Sequence, residues 1–427
     1  MKMGFAAAAM AVSLTAAAPA TAETVYLTAG RMLDPASGRI TEAPALLIEE
    51  GKILKTGTRA SLAAPEGATV IDLPGETLLP GLIDMHVHLT GDPTKGGGYS
   101  FLAYPGERFV IWAVNNAEKT LMAGFTTVRN TGSDGYEILA VRDAVNEGEI
   151  PGPRIFAAGP PVGIVGGHCS DNNYLPPEEE ATGAGVATGP WEMRAKVRQN
   201  IKYGVDFIKT CSTGGVFSKG TLLGAAQGTL EELEAIVDEA HMRGLKVAVH
   251  AHGTVGIKNA IRAGADTIEH ASYLDDEAIN LAKRHGAYLS MDIYNTEYTL
   301  SEGEKNGVME ESLDKERQVG GVQRESFRKA VKAGAKMVFG TDAAIYPHGD
   351  NARQFSRMVQ FGMTPIQAIR AATTTAAEAL GKSGELGCVA AGCVADIIAI
   401  SGDPLADVSA LETVNFVMKD GVTYKKD

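Results

Sequence analysis

"GLIDMHVHLT", residues 81–90, puts two imidazoles on one strand. An apolar run, Gly81-Leu82-Ile83, reaches Asp84 and then His86 and His88. Side chains at i and i+2 of a strand face the same way. Both rings therefore point to one side of a segment otherwise built to be buried. Two neutral imidazoles side by side gain little from each other and much from a shared metal ion. On that reading, the rest of the chain must bring further ligands to the end of this strand.

The region that follows has places for them. Eight apolar, strand-like runs alternate with longer helical patterns: "GLIDMHVH", "GFTTVRN", "PRIFAAG", "VDFIKTC", "LKVAVHAH", "ADTIEHA", "GAYLSMD" and "AKMVFGTDA". "TLEELEAIVDEAHMRG" and "GTVGIKNAIRAG" are amphipathic helical stretches between them. This alternation indicates parallel βα units. Eight units over residues 81–380 fit a closed (β/α)8 barrel. A doubly wound open sheet is the main alternative, but no G-x-G-x-x-G follows the first strand, which counts against a dinucleotide site.

Residues 23–80 and 381–427 read differently. "TVYLTAGRML", "ALLIEEGKILKTG", "ATVIDLPGETLLPG", "CVADIIAISGD" and "VNFVMKDGVTYK" are short strands parted by Gly and Pro turns. Neither end is large enough to bury its own core. The expected fold is α/β: a (β/α)8 TIM barrel with a small β-sandwich built from both chain ends.

The bulk numbers narrow the partners. The chain has 427 residues, 44% hydrophobic and 21% charged, as for a water-soluble globular protein. Its net charge of −13 argues against a nucleic-acid partner. Residues 1–22 read as a signal peptide: Lys2, the apolar "GFAAAAMAVSLTAAA", and an A-x-A-like site at Ala20–Ala22. An uncleaved anchor is the alternative. No later run reads as a membrane span. The mature chain is expected to start at Glu23 and to be exported, periplasmic or secreted from a bacterium. Disulfides persist there, so Cys388 could pair with Cys393 across a turn, and Cys169 with Cys211; four buried thiols are the alternative.

In a barrel of this kind, polar groups at the C-terminal ends of strands form the active site. The first run ends in His86 and His88, the fourth in Lys209, and the fifth in His250 with His252 close behind. The sixth ends in His270 and the eighth in Asp342. Five of the nine histidines fall within this set. His241 and His285 lie on helical patterns and read as surface residues. A single buried histidine is commonly a hydrogen-bonded core residue, but five with a Lys and an Asp at one end of a barrel are a site. Lys209 carries the most information, because an unpaired buried ammonium is costly and beside metal ions it would also be repelled. A lysine carbamate, formed when CO2 adds to the neutral amine, turns it into an anion with two oxygens that can bridge two metals. A lysine paired with a carboxylate is the alternative.

Together, the HxH after "GLID", the strand-end Lys, the His of "VAVHAHG", the His of "TIEHA" and the Asp of "FGTDAA" resemble the binuclear amidohydrolase superfamily. The resemblance covers nearly all of the mature chain, including the "AGCVADII" return. "GFTTVRN", "GGHC", "KTCSTGGV" and "HAHG" look like the branch that cleaves Xaa-Pro and other dipeptides. That branch also holds carboxypeptidases for basic residues and ochratoxin-degrading amidohydrolases, and the bacterial members of this last group are the most similar. One departure is visible: the family usually has Asp after "TTVR" and this chain has Asn130, which puts any acid role there in doubt.

The resemblance implies that His86, His88 and Asp342 hold one Zn2+ and that His250 and His270 hold a second. Carboxylated Lys209 and a hydroxide would bridge them. His252 is the runner-up to His250, which continues the alternation of "LKVAV" to the strand end. In this scheme the metal pair acidifies the shared water and polarises the scissile carbonyl. Asp342 moves the proton from the water to the leaving amine. Ser170, Ser212 and Thr213 have no G-x-S-x-G context and read as turn or pocket residues. His168 on "GGHCSDNN", Tyr294 in "MDIYN", His252 and His348 are candidates for holding a substrate carboxylate. Arg129 could do so too, or could pair with a neighbouring acid.

The expected activity is hydrolysis of the amide bond to a C-terminal amino acid in dipeptides or N-acyl amino acids. Ochratoxin A, split to ochratoxin alpha and phenylalanine, is the preferred example. A prolidase or a basic-residue carboxypeptidase on the same site is the alternative. A mononuclear deaminase shares the HxH and final Asp, but it typically lacks the strand-4 Lys and has a Glu shortly after the strand-5 His, where "HAHGTVG" has none. A non-enzymatic exported metal-binding protein would not need the whole ligand set. The family also implies a homo-oligomer.

Overall fold

The structure, a computed structural model, describes residues 24–95, 102–169, 175–179 and 182–427. The expected signal peptide, residues 1–22, lies outside them. Each of the eight apolar runs contains a strand: β1 (Leu82–Val87), β2 (Phe125–Asn130), β3 (Arg154–Ala157), β4 (Ile208–Cys211), β5 (Val247–Ala251), β6 (Thr267–His270), β7 (Tyr288–Ser290) and β8 (Met337–Val338). All five residues of β5 and all six of β1 are buried. That explains why these runs are continuously apolar rather than alternating: parallel strands are covered on both faces.

The helices between them are written in the sequence. "TLEELEAIVDEAHMRG" forms the helix Leu230–Met242, opened by a capping box in which Thr229 accepts from Glu232 N and the Glu232 carboxylate accepts from Thr229 N. Its Leu233, Ile236, Val237 and Ala240 make one buried face. "GTVGIKNAIRAG" forms Thr254–Ala263 and stops at Gly264, whose φ of 97° suits a residue without Cβ.

Strands β1–β3 pair in parallel as one sheet and β4–β8 as another. Single parallel bridges, Val87↔Ala343 and Val162↔Thr210, touch across the two seams. The architecture is of TIM-barrel type, but the eight strands are not one continuously paired cylinder. At one seam β8 is only two residues long, and the chain beyond it leaves strand geometry, with positive φ at Asp342 and Ala344. At the other, β3 ends at Ala157, before the bridge is reached.

The two chain ends meet, as segments too small to bury their own cores must. Ile397–Ser401 pairs antiparallel with Thr69–Pro80, so hydrogen bonds join the ends edge to edge in a single eight-stranded sheet. Leu27, Leu46, Ile48 and Leu78 from one end share a core with Ile397 and Phe416 from the other. A Cys388–Cys393 disulfide lies against this core. Among the described residues, no helix is long and apolar enough to cross a membrane.

Candidate functional site

The strand ends open into a cavity of about 360 Å³, lined by His86, His88, His168, Lys209, His250, His252, His270 and Asp342 among others. Seven of these are the residues the strand-end argument selected. They come together because the eight strands run parallel and end at the same level. Chain conformation is unusual here: His270, Ala271 and Asp342 have φ of 67°, 46° and 55°. Left-handed backbone in non-glycine residues costs energy and clusters at functional sites. At Asp342 the amide N–H donates to His86 O at 2.7 Å, which anchors the turn to β1.

The imidazoles are held from behind. His86 Nδ1 donates to Glu269 Oε2 at 2.9 Å, His88 Nδ1 to the Gly132 carbonyl at 3.0 Å, and His270 Nδ1 to Asp292 Oδ1 at 2.8 Å. The Nε2 atoms of His86 and His88 both face Asp342 Oδ1, at 3.4 and 3.3 Å. A carboxylate or carbonyl behind each ring, with the far nitrogen free to converge, is how metal-binding histidines are oriented.

Among the described residues, three sets of candidate ligand atoms lie within 4.8 Å of one another: His86, His270 and Asp342; His250, His252 and His270; and His168, Cys211 and His250. Cys211 is already bonded to Cys169, so the last set is closed to a metal while that disulfide stands. His250 Nε2 is buried and has no hydrogen-bond partner. Buried polar atoms are nearly always paired. An orphaned imidazole nitrogen beside those of His252 and His270 fits a divalent cation. Lys209 is 3% exposed, and burial pushes its ammonium down to about 8. The neutral amine is therefore within easy reach near neutral pH.

Other buried groups support the ligands. Arg129 pairs with Glu269 at 2.6 Å and donates from Nε to Met85 O and from Nη1 to Thr267 Oγ1. Of its two expected roles, Arg129 thus takes the pairing one. Burial pushes the Glu269 carboxyl up, but the Arg129 guanidinium and the His86 bond outweigh it and hold the group well below the usual range. Asn130 accepts from Leu89 N and donates to Gly132 O, so it shapes the loop behind His88. Ser212 donates to His250 O, and Thr213 Oγ1 accepts from His252 N, the turn roles expected of them.

The substrate candidates divide. His168 and His252 line the cavity. Burial pushes His168 down to about 3 and holds His252 well below its ordinary value. Both are therefore neutral N–H donors rather than cations. Tyr294 and His348 are not among the lining residues. After β7 the chain turns Asp292 and Asn295 to the cavity, while Tyr294 packs edge-on against Tyr346, ring centres 4.9 Å apart. His348 sits behind β1, with Nε2 donating to His88 O at 3.2 Å. Reading the sequence missed Glu269, Asp292, Asn295, Thr299 and Glu316. Glu316 is 5% exposed, and burial pushes its carboxyl up to about 7.

Comparison with known proteins shows the family. The model of the amidohydrolase family matches residues 77–424. An ochratoxinase from Aspergillus niger is 32% identical over 418 residues, covering 92% of this chain and 85% of the relative. The crystal structure of that A. niger enzyme superposes with a TM-score of 0.84 at 30% identity, over 95% of this chain and 96% of that one. A Xaa-Pro dipeptidase with bound methionine in its active site superposes with a TM-score of 0.88 at 37% identity, over 94% of this chain and all (100%) of that one.

Proposed function

The chain belongs to the amidohydrolase family, a hydrolase acting on amide bonds, and from that premise we propose that it releases a C-terminal amino acid from dipeptides or N-acyl amino acids with two zinc ions. The observation that carries this reading is the convergence of His86 and His88 Nε2 on one oxygen of Asp342, with the orphaned His250 Nε2 and buried Lys209 in the same cavity. His86, His88 and Asp342 would hold one ion, His250 and His270 the other, and Lys209, as its carbamate, both. Imidazole and carboxylate donors suit zinc. Such a pair supplies Lewis-acid charge for the carbonyl oxygen and lowers the pKa of water toward about 7.

The chain's own part follows from its geometry. Burial pushes the Asp342 carboxyl up, but the facing imidazoles of His86 and His88 outweigh it and keep it well below the usual range. Asp342 is thus ionised at neutral pH, the form in which a proton acceptor must start. Its Oδ2 accepts from the Asn295 amide at 3.4 Å, and Asp342 would carry the proton from the water to the leaving amine. His168 and His252 hold the substrate carboxylate as neutral donors. Ochratoxin A, an N-acyl phenylalanine, is the preferred substrate by likeness to the A. niger relative. The three- and five-stranded sheets are read as two arcs of one barrel, on the strength of a bridge at each seam. Export is supported by the pairing of all four cysteines.

The test compares an N-acyl phenylalanine with its methyl ester and its amide, alongside a metal count. Two zinc ions per chain, release of phenylalanine, and a large loss of kcat/KM for the capped compounds are expected. Equal rates for free and capped forms would remove carboxylate capture from the scheme.

A further inference from the structure

One wall of the cavity takes no part in holding metal. The helices Asn295–Glu302 and Glu310–Lys332 pack together and turn Asn295, Thr299 and Glu316 toward the cavity. These side chains are 6%, 1% and 5% exposed. The Asn295 amide nitrogen donates to Asp292 Oδ2 at 2.5 Å and to Asp342 Oδ2 at 3.4 Å, which fixes the amide's orientation. Its oxygen is then left with no partner, and Thr299 Oγ1 has none either. Glu316 takes one bond, from Thr296 Oγ1 to Oε1 at 2.5 Å. The wall thus offers an excess of acceptors, two of its atoms buried and unpaired, where buried polar atoms normally find partners.

We propose that Asn295, Thr299 and Glu316 form a specificity subsite that reads a hydrogen-bond donor on the acyl half of the substrate. This rests on the amidase reading above. The leaving amino acid contributes a carboxylate, which has only acceptor atoms and would meet the Asn295 oxygen and the Glu316 carboxyl here, with the Thr299 hydroxyl as its one sure donor. It belongs instead with the N–H donors of His168 and His252. The group that meets the acceptors is therefore carried by the acyl half, close to the scissile carbonyl. Two groups have this chemistry: the protonated α-amine of an aminoacyl group, and a hydroxyl ortho to the carbonyl of an aromatic acyl group. A donor placed there completes the unmet bonds of Asn295 and Thr299, and a substrate without one leaves them unmet. Discrimination is large when a site's buried polar groups would otherwise stay unpaired.

The experiment uses the zinc-loaded enzyme and two matched pairs: alanyl-phenylalanine against isobutyryl-phenylalanine, in which a methyl replaces the amine, and salicyloyl-phenylalanine against benzoyl-phenylalanine. The donor-bearing member of at least one pair is expected to be favoured tenfold or more in kcat/KM, and the pair that responds identifies the source. In Thr299→Val and Glu316→Gln that ratio falls toward one. Thr299→Val removes a hydroxyl that bonds nothing, and Glu316→Gln keeps an acceptor for Thr296, so both variants should fold. No preference in either pair, an unchanged ratio in both variants, or an equal slowing of both members overturns the subsite. Calorimetric affinities of the same four compounds run alongside. If none is hydrolysed, the amidase reading falls by itself, and the affinity ratios decide the subsite by the same criteria.

Discussion

The two sides of the histidine-lined cavity are finished differently. Around His86, His88 and Asp342 every ring nitrogen meets a protein group: Glu269, Gly132 O and Thr131 Oγ1, and the Asp342 carboxylate. Around His250 the contacts are ring against ring. His168 lies 4.2 Å away between centroids and His270 4.5 Å, while His250 Nε2 and His168 Nδ1 are buried without partners. The first side is held by bonds the chain makes for itself. On the second, His270 and His252 keep bonds to Asp292 and Ser272, but His250 and His168 are held by packing and leave polar atoms unmet. Removing a group from the first side should therefore disturb the fold and the chemistry together, whereas removing one from the second should disturb the chemistry alone.

Asp342→Asn tests the first side at its centre. An amide can still face two imidazoles, but it cannot carry a proton. A fall in kcat of about 10²–10⁴ is expected, the range for losing a general acid–base group. The measurement is steady-state kinetics on protein shown to be metal-replete, and an unchanged kcat would take the proton shuttle out of the scheme.

Lys209→Ala acts where the two sides meet. Losing a partner one layer behind a metal already costs about 10–100-fold in affinity or activity, so loss of a bridging ligand should exceed that. The purified variant should hold less than two zinc ions per chain by elemental analysis. Two tightly bound ions and near-normal turnover would end the carbamate proposal.

The contrast itself is sharpest in metal-free protein. Glu269→Ala leaves the Arg129 guanidinium, 3% exposed, without its carboxylate. Breaking a buried ion pair from one side costs about 3–5 kcal/mol. His250→Ala removes a ring whose Nε2 was unpaired, and relief of about 1–3 kcal/mol offsets much of the lost packing. Denaturant melts should show a large loss for the first variant and a small one for the second. Equal losses would mean that the two sides are built alike after all.

Much of this site is legible in the sequence, because parallel strands bring their C-terminal ends to one level. His86, His88, Lys209, His250, His270 and Asp342 each end or closely follow an apolar run, so topology alone makes them neighbours. The supporting residues are less legible. Glu269 sits between Ile268 and His270, on the other face of β6. A signal was there: a carboxylate inside a buried strand needs a partner, the same argument that singled out Lys209, and the strand-end Arg129 of "TTVRN" is that partner. Asn295, Thr299 and Glu316 gave no such signal. They reach the cavity only because the helices Asn295–Glu302 and Glu310–Lys332 pack against each other, and no spacing within either helix announces that. The closed barrel is an extrapolation from strand count. Pairing at the seams depends on backbone turns at Asp342 and Ala344 that composition does not reveal.

Tyr294→Phe is where a strand-end position and a cavity position part company, and its effect should be the smallest. By spacing, Tyr294 follows β7 as Asp342 follows β8, so it is an equal candidate for the substrate carboxylate. In the structure its ring lies edge-on to Tyr346, and its hydroxyl meets only Arg353 Nη1, at 3.5 Å. A contact of that length is weak, and losing it should cost at most about 0.5–1.5 kcal/mol, the net worth of an ordinary hydrogen bond. Because the ring packing is kept, metal content should be unchanged. Because the hydroxyl does not face the cavity, KM for an N-acyl phenylalanine should stay within about threefold of wild type, the equivalent of roughly 0.65 kcal/mol. A tenfold rise in KM with kcat intact would show that the loop after β7 swings Tyr294 into the cavity when substrate binds. The first side of the cavity would then be less rigid than its bonds suggest.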